Sequence, residues 1–208
     1  MMNNLKKLLS DYGSGCCALI ISPENRKYFT GFESSDGFLI VSPDRAVIFT
    51  DGRYIEAAEK QISNCEVMLL GKTYPQIAEI LKEMNCNRLF VESTRMTVST
   101  YNSLKGVLKK IPVSTDTTLD ALINTLRSVK TETEVENIVK AQRIAEDAFN
   151  HILKYIKVGV TEKEIALELD FYMLRHGGEG LSDRKSTRLN SSHKSKTAIL
   201  SLWNLAQL

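Results

Sequence analysis

The sequence has no long apolar run: none of its hydrophobic stretches approaches the roughly 18–20 residues that cross a bilayer. Its first twelve residues are polar, with Leu5, Leu8 and Leu9 on one side of a short helix. They lack the apolar core and small-residue cleavage site of a signal peptide. No membrane partner is expected, and cytoplasmic residence is. Histidine is scarce, with His151, His176 and His193 far apart, and the four cysteines (Cys16, Cys17, Cys65, Cys86) form no C-x-x-C pair. That spacing does not suit a structural zinc site. Cys16 and Cys17 open an apolar stretch through Ile21 and are expected as buried free thiols. An excess of one charge is missing too. Five of the 27 basic and one of the 25 acidic side chains lie in residues 183–208, so the rest of the chain is slightly acidic. No nucleic-acid partner is expected of such a body.

What remains is an ordinary globular composition, 43% hydrophobic and 25% charged, in 208 residues. That length suits one large domain, or one domain and part of a second. From residue 16 to about 126, short apolar runs alternate with amphipathic stretches. Residues 16–21 predict a buried strand, and Ser22-Pro23 a helix start with Ser22 as cap. Phe38–Val41 and Ala46–Thr50 predict two strands joined by a hairpin turn at Ser42-Pro43-Asp44-Arg45. Helices are expected over 53–63, Pro75–Met84, 97–109 and 119–126, with strands over Glu66–Leu70, Arg88–Val91 and 111–114. Strands alternating with helices imply an α/β fold, and the hairpin makes its sheet mixed rather than purely parallel. The character changes near residues 127–131. Two helices follow, opened by Thr131-Glu132-Thr133-Glu134 and Thr161-Glu162-Lys163-Glu164. In each, the Thr oxygen can accept from the backbone three residues on while the Glu reaches back. Gly177-Gly178 ends the second.

Several segments resemble a known family. Asn25-Arg26-Lys27-Tyr28-Phe29-Thr30-Gly31-Phe32 is similar to the N-x-x-Y-L-T-G-F stretch of creatinase/prolidase N-terminal domains. Ala46-Val47-Ile48-Phe49-Thr50-Asp51-Gly52-Arg53-Tyr54 is similar to their L-F-T-D-G-R-Y hairpin exit. Leu126-Arg127-Ser128-Val129-Lys130 with Glu134, Ala145-Glu146-Asp147-Ala148-Phe149, Ile156 to Glu162, and Gly177-Gly178-Glu179-Gly180-Leu181-Ser182 resemble, in order, the opening of the "pita-bread" metallopeptidase domain. The resemblance implies an Xaa-Pro aminopeptidase or prolidase, with a creatinase-like N-terminal domain over 1–126 and the first two helices of an incomplete α+β peptidase domain over 127–182. It implies two divalent cations, often manganese, held in the intact protein by two Asp, one His and two Glu. It also implies short proline-containing peptides as substrates and a homo-oligomer.

In that family all five ligands lie downstream of the segment matching 177–182. Here residue 183 opens a run rich in Ser, Lys and Arg, and the stretch Arg184 to His193 has the look of adapter sequence joined to a gene fragment. Residues 183–208 are therefore expected to be a non-homologous, artefactual tail, and the chain to carry no metal and no catalytic residue of its own. Candidates for the substrate mouth or a subunit contact are Asp51, Arg53, Tyr54 and His176. The alternative for the first three is local: Asp51 helps start the helix and Arg53 pairs with it or with a nearby acid. For His176 the alternative is a helix-end cap. His151 is expected at the surface, and Asp11, Glu33 and Asp36 make no acid–base pair. Two other functions stand beside the peptidase: a non-catalytic peptide- or protein-binding member of the family, and creatine hydrolysis on the same scaffold.

Overall fold

The computed structural model describes residues 1–179. The expectations for the tail and for the end of the 177–182 segment lie outside the described residues. The chain divides into two compact units, Met1–Val129 and Lys130–Leu208.

The first unit is built on six strands: β1 (Cys16–Ile20), β2 (Phe38–Val41), β3 (Ala46–Thr50), β4 (Glu66–Leu69), β5 (Arg88–Val91) and β6 (Val113–Ser114). They lie in the order β4-β3-β2-β1-β5-β6. Only the pairings of β2, with β1 and with β3, are antiparallel. The mixed α/β sheet expected from the hairpin is present. Its turn closes at the predicted residues, with Ser42 N–H donating to Arg45 O at 2.8 Å. The register sets Phe38 opposite Phe49, whose rings stack at 4.5 Å.

Every residue of β1, β2 and β3 is buried, as expected of strands covered on both faces. Successive side chains alternate between two cores. Cys16, Ala18, Ile20, Leu39, Val41, Ile48 and Phe90 face one cluster. It is completed by Leu5 and Leu9 of α1 (Met2–Tyr12), Phe29 of α2 (Pro23–Thr30), Ala58 of α3 (Ile55–Gln61), and Leu119 and Ile123 of α6 (Thr118–Ser128). Cys17, Leu19, Ile40, Val47, Leu89 and Val91 face the other, against α4 (Thr73–Glu83) and α5 (Val98–Leu108). At about 1.5–3 kcal/mol for each fully buried large apolar side chain, these two layers dominate the folding energy of the unit.

Two helix boundaries differ from the pattern for local reasons. α3 begins at Ile55 rather than 53, because Asp51–Tyr54 closes a turn first, with Tyr54 N–H donating to Asp51 O at 3.1 Å. α4 begins at Thr73, which puts Pro75 in the first turn, where a missing N–H costs nothing. Ser22 occupies the cap position of α2, but its hydroxyl makes no bond to that helix.

The second unit contains α7 (Glu132–Tyr155) and α8 (Glu162–Arg175), and both capping boxes form in full. Ala148, Ile152 and Leu169 are its buried core, with Ile165, Tyr172 and Met173 packed around them. Val135, Ile138 and Val139, on the N-terminal half of α7, are about half exposed. Among the described residues, no helix is long and apolar enough to cross a membrane.

Candidate functional site

Asp51 leaves the end of β3 and Arg53 follows two residues later, so the turn brings their side chains together. Asp51 Oδ1 accepts the Arg53 backbone N–H at 2.8 Å, and Arg53 Nη2 donates to Asp51 Oδ2 at 2.6 Å. The same Nη2 reaches Asp36 Oδ2 at 2.9 Å and Ser35 Oγ at 3.3 Å. Tyr54 lies under the guanidinium, 5.4 Å from ring centroid to Arg53 Cζ, and meets Phe32 edge-on. The hydrogen bond from Arg53 holds the Asp51 carboxyl below its ordinary value. Asp36 and Asp51 border an open cleft of about 270 Å³ with Gly37, Phe38, Leu70 and Thr73.

The loop that presents Asp36 is held from beneath. Arg26, only 2% exposed, donates to the carbonyls of Gly37 and Ser34 at 2.8 Å each, and to that of Ile21. Burial pulls its guanidinium below the usual value, against the field of Glu92. Gly37 has φ +127°, and a Cβ there would sit 2.0 Å from the Phe49 carbonyl oxygen, so only glycine fits.

Glu92, immediately after β5, is the feature that sequence reasoning missed. Its buried carboxylate accepts from the backbone N–H groups of Ile21 and Ser22 at 2.6 and 2.8 Å. It also accepts from Ser22 Oγ and Asn25 Nδ2, at 2.6 Å each. Ser22 therefore caps nothing: its hydroxyl is spent on Glu92. Asn25 Oδ1 in turn accepts from Arg127 Nη1 at 2.7 Å, and Tyr28 Oη donates to Leu126 O at 2.9 Å. Asn25 and Tyr28, which carry the family resemblance, thus hold the framework together with Arg26. In an open α/β sheet, the crevice beyond the carboxyl ends of neighbouring strands is the usual ligand position. Between β1 and β5 an internal carboxylate fills it. Asp120 does similar work next door, accepting from Ser93 N and Ser93 Oγ at 2.9 Å each.

His176 belongs to the second unit. Its Nδ1–H donates to Tyr172 O at 2.7 Å, and its ring stacks on Tyr172 at 4.0 Å. His151 stacks on the same tyrosine and meets Glu168 Oε1 at 2.7 Å.

Among the described residues, no set of three or more His, Cys, Asp and Glu is placed to hold an ion. Asp36 and Asp51 share a guanidinium where a cation would have to sit, and His151 with Glu168 offers two donors only. The described residues do not fit a two-cation centre.

Comparison with known proteins gives this framework a family. Residues 2–129 match the creatinase/prolidase N-terminal domain, and residues 136–199 match metallopeptidase family M24, a match that runs past the change of composition at residue 183. The chain is 35% identical over 168 residues to the uncharacterized peptidase YqhT of Bacillus subtilis, covering 79% of this chain and 46% of that one. It is 30% identical to the Xaa-Pro dipeptidase of Pyrococcus furiosus, over 94% of this chain and 54% of that one. The solved Xaa-Pro dipeptidase from Bacillus anthracis superposes with a TM-score of 0.75 at 31% identity, covering 85% of this chain and 48% of that one. The chain thus spans about half the length of the curated relatives it matches. The six-stranded unit followed by a capped helix pair, and the two family matches in the same order, make this chain a member of the creatinase/prolidase group of M24 metallopeptidases.

Proposed function

We propose that this chain is the N-terminal part of a metal-dependent Xaa-Pro peptidase, a hydrolase cleaving the bond before proline in short peptides, and that as it stands it has no catalytic activity. In this reading 1–126 is the creatinase-like domain, 127–182 opens the peptidase domain, and 183–208 departs from the family in composition although the family match continues to residue 199. The intact protein is a cytoplasmic homo-oligomer using two divalent cations, manganese in the first instance. The observation that carries the inactive state is that, among the described residues, no cluster of three or more His, Cys, Asp and Glu is placed to hold a metal. A metal centre in such a peptidase supplies the activated water; nothing described here replaces it. This chain's own contribution is positional. Arg26 fixes the loop that carries Asp36, Arg53 ties that loop to Asp51, and these groups border the mouth of the substrate site in the intact protein.

The test uses two proteins. The 208-residue chain, assayed with manganese and an Xaa-Pro dipeptide, should release no amino acid. Turnover that copurifies with the chain through several columns refutes the inactive reading. The product of the source gene read through codon 182 in frame should hydrolyse the same dipeptide with added metal. If it binds proline peptides without cleaving them, the non-catalytic binding reading replaces the peptidase.

A further inference from the structure

The end of α4 brings together two thiols that the peptidase reading does not use. Asn85 has φ 50°, its N–H donates to Lys82 O at 3.0 Å, and Cys86 N–H donates to Leu81 O at 2.8 Å. This paired bonding around a left-handed residue is a Schellman turn, which folds the following side chain back over the last helical turn. Cys86 accordingly packs against the same core face as Leu81 and Cys17. The sheet supplies the partner. β1 and β5 are parallel neighbours, with Cys17 opposite Leu89, and Asn87 N–H donates to Gly15 O at 2.9 Å. The Cys17 and Cys86 thiols lie in the same apolar layer, close enough to perturb each other, and Cys86 Sγ–H also donates to Arg88 O at 3.4 Å.

The pair is asymmetric. Cys17 is completely buried, whereas Cys86 is half-buried. The contact with Cys17 draws the Cys86 thiol below its ordinary value, against burial, while the same contact pushes Cys17 up. The outer sulfur is thus the better nucleophile, and the inner one keeps its proton beside it. Cys16 and Cys65 belong to the opposite face of the sheet, where burial pushes Cys65 up to about 11.

We propose that Cys86 is an oxidation site and Cys17 its resolving partner, closing reversibly to a disulfide between β1 and the turn after α4. The oxidant is a peroxide. The Cys86 thiolate attacks one peroxide oxygen, the O–O bond breaks, and the sulfur becomes a sulfenic acid as the other oxygen leaves and takes a proton to become water. Cys17 sulfur then attacks the Cys86 sulfur, displaces hydroxide and gives it the Cys17 proton, releasing a second water. Two thiols are oxidised and one peroxide is reduced, and a thiol reductant reverses the step. The inference is independent of the peptidase reading.

The experiment treats the reduced 208-residue chain with hydrogen peroxide, alkylates it and maps its peptides by mass. The expected product is one Cys17–Cys86 linked peptide, about 2 Da below the sum of its reduced parts. Alkylation of Cys86 should fall about tenfold and return with dithiothreitol, while Cys16 and Cys65 keep their reactivity. In C17S, or in C17A if the serine variant does not fold, Cys86 should accumulate as sulfenic acid trapped by a cyclic diketone. In C86S, Cys17 should stay reduced. The proposal is overturned if Cys86 alkylates equally fast before and after peroxide. It is also overturned if the crosslink joins another pair or two chains.

Discussion

The two units carry equally clear local signals and very different amounts of interior. In Met1–Val129 a sheet separates two apolar layers, and the buried Glu92 and Arg26 gather polar groups of the connecting segments around them. In the unit that starts at Lys130, the helix starts are capped in full, yet among the described residues only Ala148, Ile152 and Leu169 are buried. A capping box satisfies two backbone donors and fixes where a helix begins. It contributes about 1 kcal/mol, far less than a two-sided core. Well-marked helices and a well-filled interior are therefore separate properties, and each can be altered without the other.

The largest expected effect lies in the first unit. E92A leaves two backbone N–H groups, Ser22 Oγ and Asn25 Nδ2 without their acceptor, and should cost about 3–5 kcal/mol, read by urea denaturation. A loss below about 1 kcal/mol would mean that water replaces the carboxylate and that the network is not what holds β1 to β5. In the second unit, I152A should cost about 2 kcal/mol, the low end for such truncations, because a thin core relaxes into the space. Hydrogen exchange should show α7 and α8 losing protection while β1–β3 keep theirs; equal loss in the strands would erase the distinction between the units.

Removing the cap at T131A should cost about 1 kcal/mol, seen as faster exchange in the first turn of α7. Asp120 gives a pH-dependent contrast. Burial pushes its carboxyl up, but hydrogen bonds from Thr94 and Ser93 side chains and backbone outweigh that, leaving it below its ordinary value. Its contribution is therefore fully present above the unfolded carboxylate value near pH ~4, and is lost as pH falls through the lower folded value. D120N should flatten the acid limb of the first unit's stability curve; an unchanged limb would remove Asp120 from the framework. The smallest effect belongs to R53A. Its ion pairs with Asp36 and Asp51 are solvent-exposed, so the melting temperature should not move measurably.

Most elements were legible because their causes are local. The two apolar runs in 38–50 with Ser42-Pro43-Asp44-Arg45 between predict the hairpin, and Thr131 with Glu134 predicts the start of α7. What the sequence hides is what joins distant residues. Nothing near Glu92 marks it as the acceptor for Ser22, which lies 70 residues earlier, and Ser22 before Pro23 looks like an ordinary cap. The sheet order is hidden for the same reason: β1 finds one neighbour at 38–41 and the other at 88–91. Of the candidate site residues, Asp51, Arg53 and Tyr54 sit within one turn, so their meeting follows from spacing. Asp36 joining them does not, because it depends on Arg26 gathering the carbonyls of a separate loop.

The position of Glu92 also bears on how the chain acquires its structure during synthesis. β1 to β4 are neighbours in sequence order, so a nascent chain can assemble those four of the six strands from its first seventy residues. The outer edge of β1, and the amides of Ile21 and Ser22 beyond it, must wait for β5 to leave the ribosome. At about 5–20 residues per second, that edge stays open to solvent and to other nascent chains for a few seconds. The arrival of one carboxylate, with the strand that carries it, ends that exposure.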